Sequence, residues 1–236
     1  MATPLTDSLR AHPPLLHAAG DQYFGLSWDA IAWIETHVSS DMSTLETGAG
    51  GSTIVFASSG SAHTTISPSA DEHARISAYC SEHGISAEGV EFIAGASHEV
   101  LANGWEPHAL DVVLIDGAHG FPYPTLDWVL LSPHVKVGGH VLVDDAQLEP
   151  VYGLVRFLKA SPSWELTDVL GLRTPCFQKR DEIEPSFGLD HTSSRPMLGY
   201  LAPSKRPVGW LRLGLLDRSP LRHLVQAAVS RRSRRG

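Results

Sequence analysis

Four side chains in the middle of this chain are of the types that do chemistry together: Asp116, His119, Asp144 and Asp145. Asp116 ends an apolar run that begins at Leu110 and is followed by Gly117-Ala118-His119, while Asp144 and Asp145 end a second run, Gly139–Val143. Carboxylates set side by side repel, and each raises the pKa of its neighbour unless a cation lies among them. An all-oxygen set favours a hard ion, Mg2+ first, then Mn2+ or Ca2+. A histidine three residues after such an acid is the best candidate for a general base. Plainer readings stand beside these. Asp144 or Asp145 can cap the helix expected from Glu149, Asp116 can open a turn with Gly117, and His119 can be a surface loop residue. The chemical reading rests on all of them falling at the ends of neighbouring strands.

A second stretch, Leu45-Glu46-Thr47-Gly48-Ala49-Gly50-Gly51-Ser52-Thr53, runs from a short strand through a glycine turn into a helix. Such glycines let a ligand approach the main chain closely, and the free N–H groups at the helix start face the same crevice. A dinucleotide fingerprint needs a third glycine where Thr53 stands and has no use for Glu46.

These residues need a scaffold that brings strand ends together. Strands are expected at Ser43–Glu46, Ala62–Ser67, Val90–Ala94, Leu110–Asp116 and Gly139–Val143, alternating with amphipathic helices. The helices fall at Trp28–His37 (capped by Ser27), Thr53–Ser59, Asp71–His83, Ser97–Ala102, Thr125–Leu131 and Glu149–Ala160. Trp164–Leu170 and Thr174–Lys179 form a hairpin around Gly171-Leu172-Arg173. Alternating units imply a largely parallel sheet with helices on both faces, and ligands of such sheets sit beyond the carboxyl ends of the strands.

A composition 42% hydrophobic and 19% charged is that of a globular chain. Cys80 and Cys176 give neither a disulfide framework nor metal spacing, and a cytoplasmic location is expected. Residues 1–199 carry 9 Lys+Arg against 25 Asp+Glu; residues 200–236 carry 9 bases and one acid, Asp217. The acidic body is poorly matched to nucleic acid as principal substrate. In the basic tail, Ser219-Pro220 starts an amphipathic helix that suits docking on the body or a partner subunit, or contact with a membrane surface.

The acid-x-Gly-x-Gly turn resembles motif I of class I S-adenosylmethionine-dependent methyltransferases. That resemblance implies cofactor contacts from Glu46, Gly48, Ala49, Gly50, Ser52 and Thr53. Asp116-Gly-Ala-His119, then Tyr123 and Asp127, Gly138-Gly139 and Val143-Asp144-Asp145, is similar to a subgroup, the metal-dependent sugar O-methyltransferases of macrolide biosynthesis (macrocin and mycinamicin type). It is similar, more distantly, to catechol O-methyltransferase. The similarity spans roughly residues 28–179. It implies a Rossmann-like α/β fold with a mostly parallel seven-stranded sheet, its last strand antiparallel. It also implies S-adenosylmethionine as cofactor, Mg2+ (or Mn2+) on Asp116, Asp144 and Asp145, and His119 as base. Asp116 would also border the cofactor, and Ser97 would lie in the adenine-contacting loop, where it can equally be a helix cap. Tyr123 is expected to pack at the pocket edge and Asp127 to be a helix-surface acid. One departure stands out. Strand two ends in Ser67, where the family has an acid for the ribose hydroxyls, so Asp71 or Glu72 must be weighed as substitutes.

The expected organisation is an N-terminal segment (1–27), a methyltransferase domain (28–180) and a C-terminal extension (181–236). The expected reaction moves a methyl group to a hydroxyl of a small molecule, a sugar or polyketide-like natural product. Metal-independent transfer, and a non-catalytic protein whose tail recruits a partner or membrane, are the alternatives.

Overall fold

The structure is a computed structural model, and it describes residues 4–17, 25–105 and 107–182. The expected tail helix lies outside the described residues. A short helix α1 (Leu5–Ala11) precedes α2 (Trp28–His37), β1 (Ser43–Thr47), α3 (Gly51–Ser59), β2 (Ala62–Ser67), α4 (Ala70–Glu82) and β3 (Val90–Ala94). Then come α5 (Ser97–Ala102), β4 (Leu110–Ile115), α6 (Tyr123–Leu131), β5 (Val135–Val143), α7 (Glu149–Leu158), β6 (Trp164–Leu170) and β7 (Thr174–Lys179). The strands form one sheet in the order β3-β2-β1-β4-β5-β7-β6, with β7 antiparallel to both neighbours and the other pairs parallel. β1, β4 and β5 are adjacent, so Glu46, Asp116, Asp144 and Asp145 do meet at one edge.

Alternation along β4 makes the two layers. Val112 and Leu114 enter a core shared with Leu9, Ile31, Ile34, Phe56 and Ile76, hence with α1 to α4. Val113 and Ile115 enter the other, with Leu101, Leu131, Leu154, Leu158 and Phe177, hence with α5 to α7. Period-two geometry requires this split. Burying each such side chain stabilises the fold by roughly 1.5–3 kcal/mol before entropy is counted, and Leu114→Asp would lose that and leave an unpaired charge in an apolar core.

The N-terminal segment belongs to this framework. The Leu5 and Thr6 amides donate to the Glu35 carboxylate at 2.6 and 3.0 Å, which satisfies two free N–H groups of α1. Among the described residues no helix is long and apolar enough to cross a membrane. Cys80 and Cys176 are both buried free thiols.

Candidate active site

A cleft of about 810 Å3 opens at the carboxyl ends of the parallel strands. Its walls include Gly48, Ala49, Gly50, Gly51 and Ser52 and, packed beside Gly48, the loop of Asp116, Gly117 and His119, with Asp144, Asp145 and Arg173. Ser67, Glu72, Ser97, His98, Tyr123 and His17 complete the lining.

The glycine turn is built for close approach. Gly48 has φ of 102°, and a Cβ there would stand 2.5 Å from the Asp116 carbonyl oxygen. Glycine is therefore required twice over, by backbone angle and by space. Glu46 takes a different role from the expected one. It is 1% exposed and does not line the cleft. Its carboxylate accepts from Ser52 Oγ at 2.6 Å and from Thr53 Oγ1, and it faces His63 Nε2 at 3.2 Å. Thr53 in turn accepts from the Gly50 amide at 2.9 Å and is fully buried. Glu46 and Thr53 thus brace the start of α3 from beneath, leaving the turn's backbone to meet a ligand.

At the end of β2, Ser67 Oγ is 3.0 Å from His73 Nε2, and burial lowers the His73 pKa. Of the two acids considered as substitutes, Glu72 lines the cleft, where its carboxylate lies 3.0 Å from His17 Nδ1. Ser97 is the first residue of α5, whose N-cap is Ala96, so the helix-cap reading fails. Its hydroxyl donates to Asp127 Oδ1 at 2.7 Å. Asp127 is a correction as well. Expected on the helix surface, it is 0% exposed, and burial raises its pKa. Tyr123 does stand at the cleft edge, against the His98 ring with centroids 4.8 Å apart.

The acidic end centres on His119. Its Nε2 lies 3.4 Å from Asp116 Oδ1 and its Nδ1 3.4 Å from Asp145 Oδ2. The Asp116 contact, with help from the neighbouring acids, raises the His119 pKa above its ordinary value. Burial, reinforced by Asp144, pushes Asp116 up to about 7 despite the His119 contact. Neither Asp144 nor Asp145 caps α7, whose N-cap is Leu148. Asp145 instead holds φ of 55°, a left-handed angle that costs most residues with a Cβ about 1–2 kcal/mol and that aspartate tolerates better than most.

Arg173, from the turn between β6 and β7, had no place in the expected site. Its Nη2 donates to Asp144 Oδ2 at 3.0 Å and its Nη1 pairs with Asp145 Oδ1 at 3.2 Å. The remaining Asp144 oxygen accepts from Thr174 Oγ1, and Asp145 Oδ1 also accepts from Gln147 Nε2 at 2.7 Å. Burial raises the Asp144 pKa, with Thr174 and then Arg173 opposing it. A divalent ion needs several carboxylate oxygens converging with free lone pairs. Here the oxygens of Asp144 and Asp145 already face protein donors. Among the described residues no group of three or more His, Cys, Asp or Glu could hold a metal ion. The expected ligand set, Asp116 with Asp144 and Asp145, does not fit a metal as these side chains stand.

Residues 45–146 match a protein family described as "Methyltransferase domain". The fold is that of a class I methyltransferase. The cofactor-bound O-methyltransferase TomG of Streptomyces achromogenes, which takes part in tomaymycin synthesis, superimposes with a TM-score of 0.54 at 18% identity. That match covers 77% of this chain and 91% of TomG. A Klebsiella pneumoniae protein put forward as an O-methyltransferase gives a TM-score of 0.60 at 17% identity, covering 77% and 92%. A methyltransferase of Geobacter sulfurreducens gives 0.55 at 12%, covering 77% and 91%. No curated protein sequence matches the chain significantly. The glycine turn and the acids at the ends of β4 and β5 all lie within the matched stretch.

Proposed function

We propose that this methyltransferase moves a methyl group from S-adenosylmethionine to a hydroxyl of a small molecule, with His119 as general base. The observation that carries the reading is that one cleft holds both the Gly48–Ser52 turn and the Asp116–His119–Asp145 group. When bound, the cofactor supplies an electrophilic methyl on a sulfonium. The chain supplies alignment and a deprotonated acceptor.

Gly48 and Gly50 give the cofactor's methionine end access to backbone N–H groups at the start of α3. Glu72 supplies the carboxylate for the ribose hydroxyls that Ser67 cannot provide, and His17 holds it in place. Each ring nitrogen of His119 faces a carboxylate at 3.4 Å, Nε2 that of Asp116 and Nδ1 that of Asp145, and these charges stabilise the imidazolium once the ring has taken a proton. With the cofactor bound, the acceptor hydroxyl would give its proton to the His119 imidazole as its oxygen takes the methyl. His98 and Tyr123 offer flat surfaces for an acceptor of sugar or polyketide-like character. The O-methylating activity of TomG, whose fold this chain shares, supports hydroxyl as the acceptor.

A calorimetric titration of the full chain with S-adenosylmethionine tests the first half, and transfer of labelled methyl to a panel of hydroxylated sugars and macrolactones tests the second. Binding followed by alkali-stable label on an oxygen is the expected result. No heat at millimolar cofactor overturns the reading.

A further inference from the structure

We infer that Arg173 is the resident cation of the acidic end of the cleft, standing where a metal-dependent form of this chemistry would need a divalent ion, so that the protein works without one. The inference rests on the methyl-transfer reading for what the site does, but its geometry is independent of that reading.

The guanidinium bridges the two acids that follow β5, at 3.0 Å to Asp144 and 3.2 Å to Asp145. Its position is set by the main chain. The Ala146 amide donates to the Arg173 carbonyl at 2.9 Å, which ties the β6–β7 turn directly to the Asp144–Asp145 loop. Gly171 and Leu172 make that turn with φ of 55° and 63°. A Cβ at Gly171 would meet Ser27 Cβ at 2.4 Å, so the turn is pressed against the cap of α2. The Nη2 that meets Asp144 also donates to the Gly25 carbonyl. A guanidinium held by Asp144, Asp145 and the Gly25 carbonyl is not a surface arginine that has swung inward.

The charge it carries is permanent, because a guanidinium does not lose its proton in proteins. It offers Asp144 and Asp145 the compensation that a metal would offer, and it repels any cation approaching the same oxygens. Its planar fork also fixes Asp145, whose other oxygen faces Nδ1 of His119 at 3.4 Å. Arg173 is thus a positioning residue: it acts on the base through Asp145. The guanidinium is 32% exposed and borders the cleft, so the acceptor meets a fixed positive charge there.

The test is a titration of chelator-treated full-length protein with Mn2+, followed by the loss of the free-ion electron paramagnetic resonance signal. Wild type should retain no stoichiometric Mn2+ up to about 1 mM. Arg173→Ala should bind one Mn2+ at least tenfold more tightly than wild type, and adding Asp145→Asn should abolish that binding. Arg173→Lys, which keeps the charge, should exclude the ion as wild type does. A merely structural arginine would not create a metal site when removed. One equivalent of tightly held Mn2+ in the wild type overturns the inference, as does a folded Arg173→Ala variant that binds none. Should Arg173→Ala fail to fold by circular dichroism, Arg173→Gln replaces it and the wild-type titration still decides. Failure of the methyl-transfer reading would show separately, as absence of heat with S-adenosylmethionine in metal-free buffer.

Discussion

Gly48 and Asp116 are in backbone contact: a Cβ on the first would stand 2.5 Å from the carbonyl oxygen of the second. The glycine turn and the acidic loop therefore hold one another in place, and neither can shift alone. Gly48→Ala must strain a left-handed angle and push on a main-chain atom that cannot rotate away. We expect a loss of about 2–4 kcal/mol in chemical denaturation, together with weaker cofactor binding by calorimetry. A variant as stable as the parent would mean that the two loops move independently.

The rate should carry an acid limb above pH 6.5. The base must be neutral to accept a proton, and the His119 pKa is raised by its Asp116 contact and by the nearby acids. Asp145→Asn removes one of those charges and should move the limb toward lower pH in a kcat profile. His119→Ala should leave cofactor affinity unchanged while kcat falls about a hundredfold or more.

Stability should fall as pH rises from about 4 to about 7. Asp116 has a folded pKa of about 7 against an ordinary 3.8, so the folded state binds a proton that the unfolded chain has released across that interval. His119, raised above 6.5, acts in the same direction: its contribution is full below the unfolded pKa and lost as pH rises through the folded one. Asp116→Asn should thus melt higher than wild type at pH 8, by about 2–4 °C per kcal/mol recovered, while losing activity. Thermal melts at pH 4 and pH 8 would expose the opposite sign.

Glu72→Gln should weaken S-adenosylmethionine about tenfold, the scale of one charge-assisted hydrogen bond. Asp71→Asn should do nothing measurable. Equal effects from the two would remove Glu72 from its assigned place.

Glu46→Ala should cost stability first and affinity second, since it strips partners from Ser52, Thr53 and His63 in a dry setting. A loss of about 2–3 kcal/mol is expected. Affinity that collapses with no change in stability would return Glu46 to direct cofactor contact.

The strands were legible wherever one simple rule governed them. β2, β3, β6 and β7 begin and end where apolar patterning and turn residues put them. β5 begins four residues early, at Val135, because Gly138-Gly139 reads as punctuation in a sequence. In the sheet those glycines sit at a register shift between β4 and β5, where a Cβ on Gly139 would meet the Asp111 carbonyl at 3.0 Å. Asp127 was misread because an isolated acid on a helix is usually solvated; its burial is answered by Ser97, from another helix. The pairing of Arg173 with the acids left no local signal. It sits in a hairpin turn, where arginine is ordinarily a solvated residue, and no periodicity links it to acids 28 and 29 residues earlier. Only the order β5-β7-β6 brings them together.

The bond from Arg173 to the Gly25 carbonyl joins groups 148 residues apart. As the chain leaves the ribosome, the glycine turn and His119 can be in place long before the β6–β7 hairpin exists. During that interval Asp144 and Asp145 have no arginine between them, and the site is unfinished. The sheet can form from its strand pairs in order, but the Asp144–Asp145 loop is completed only when the last hairpin docks, through a contact of high sequence separation.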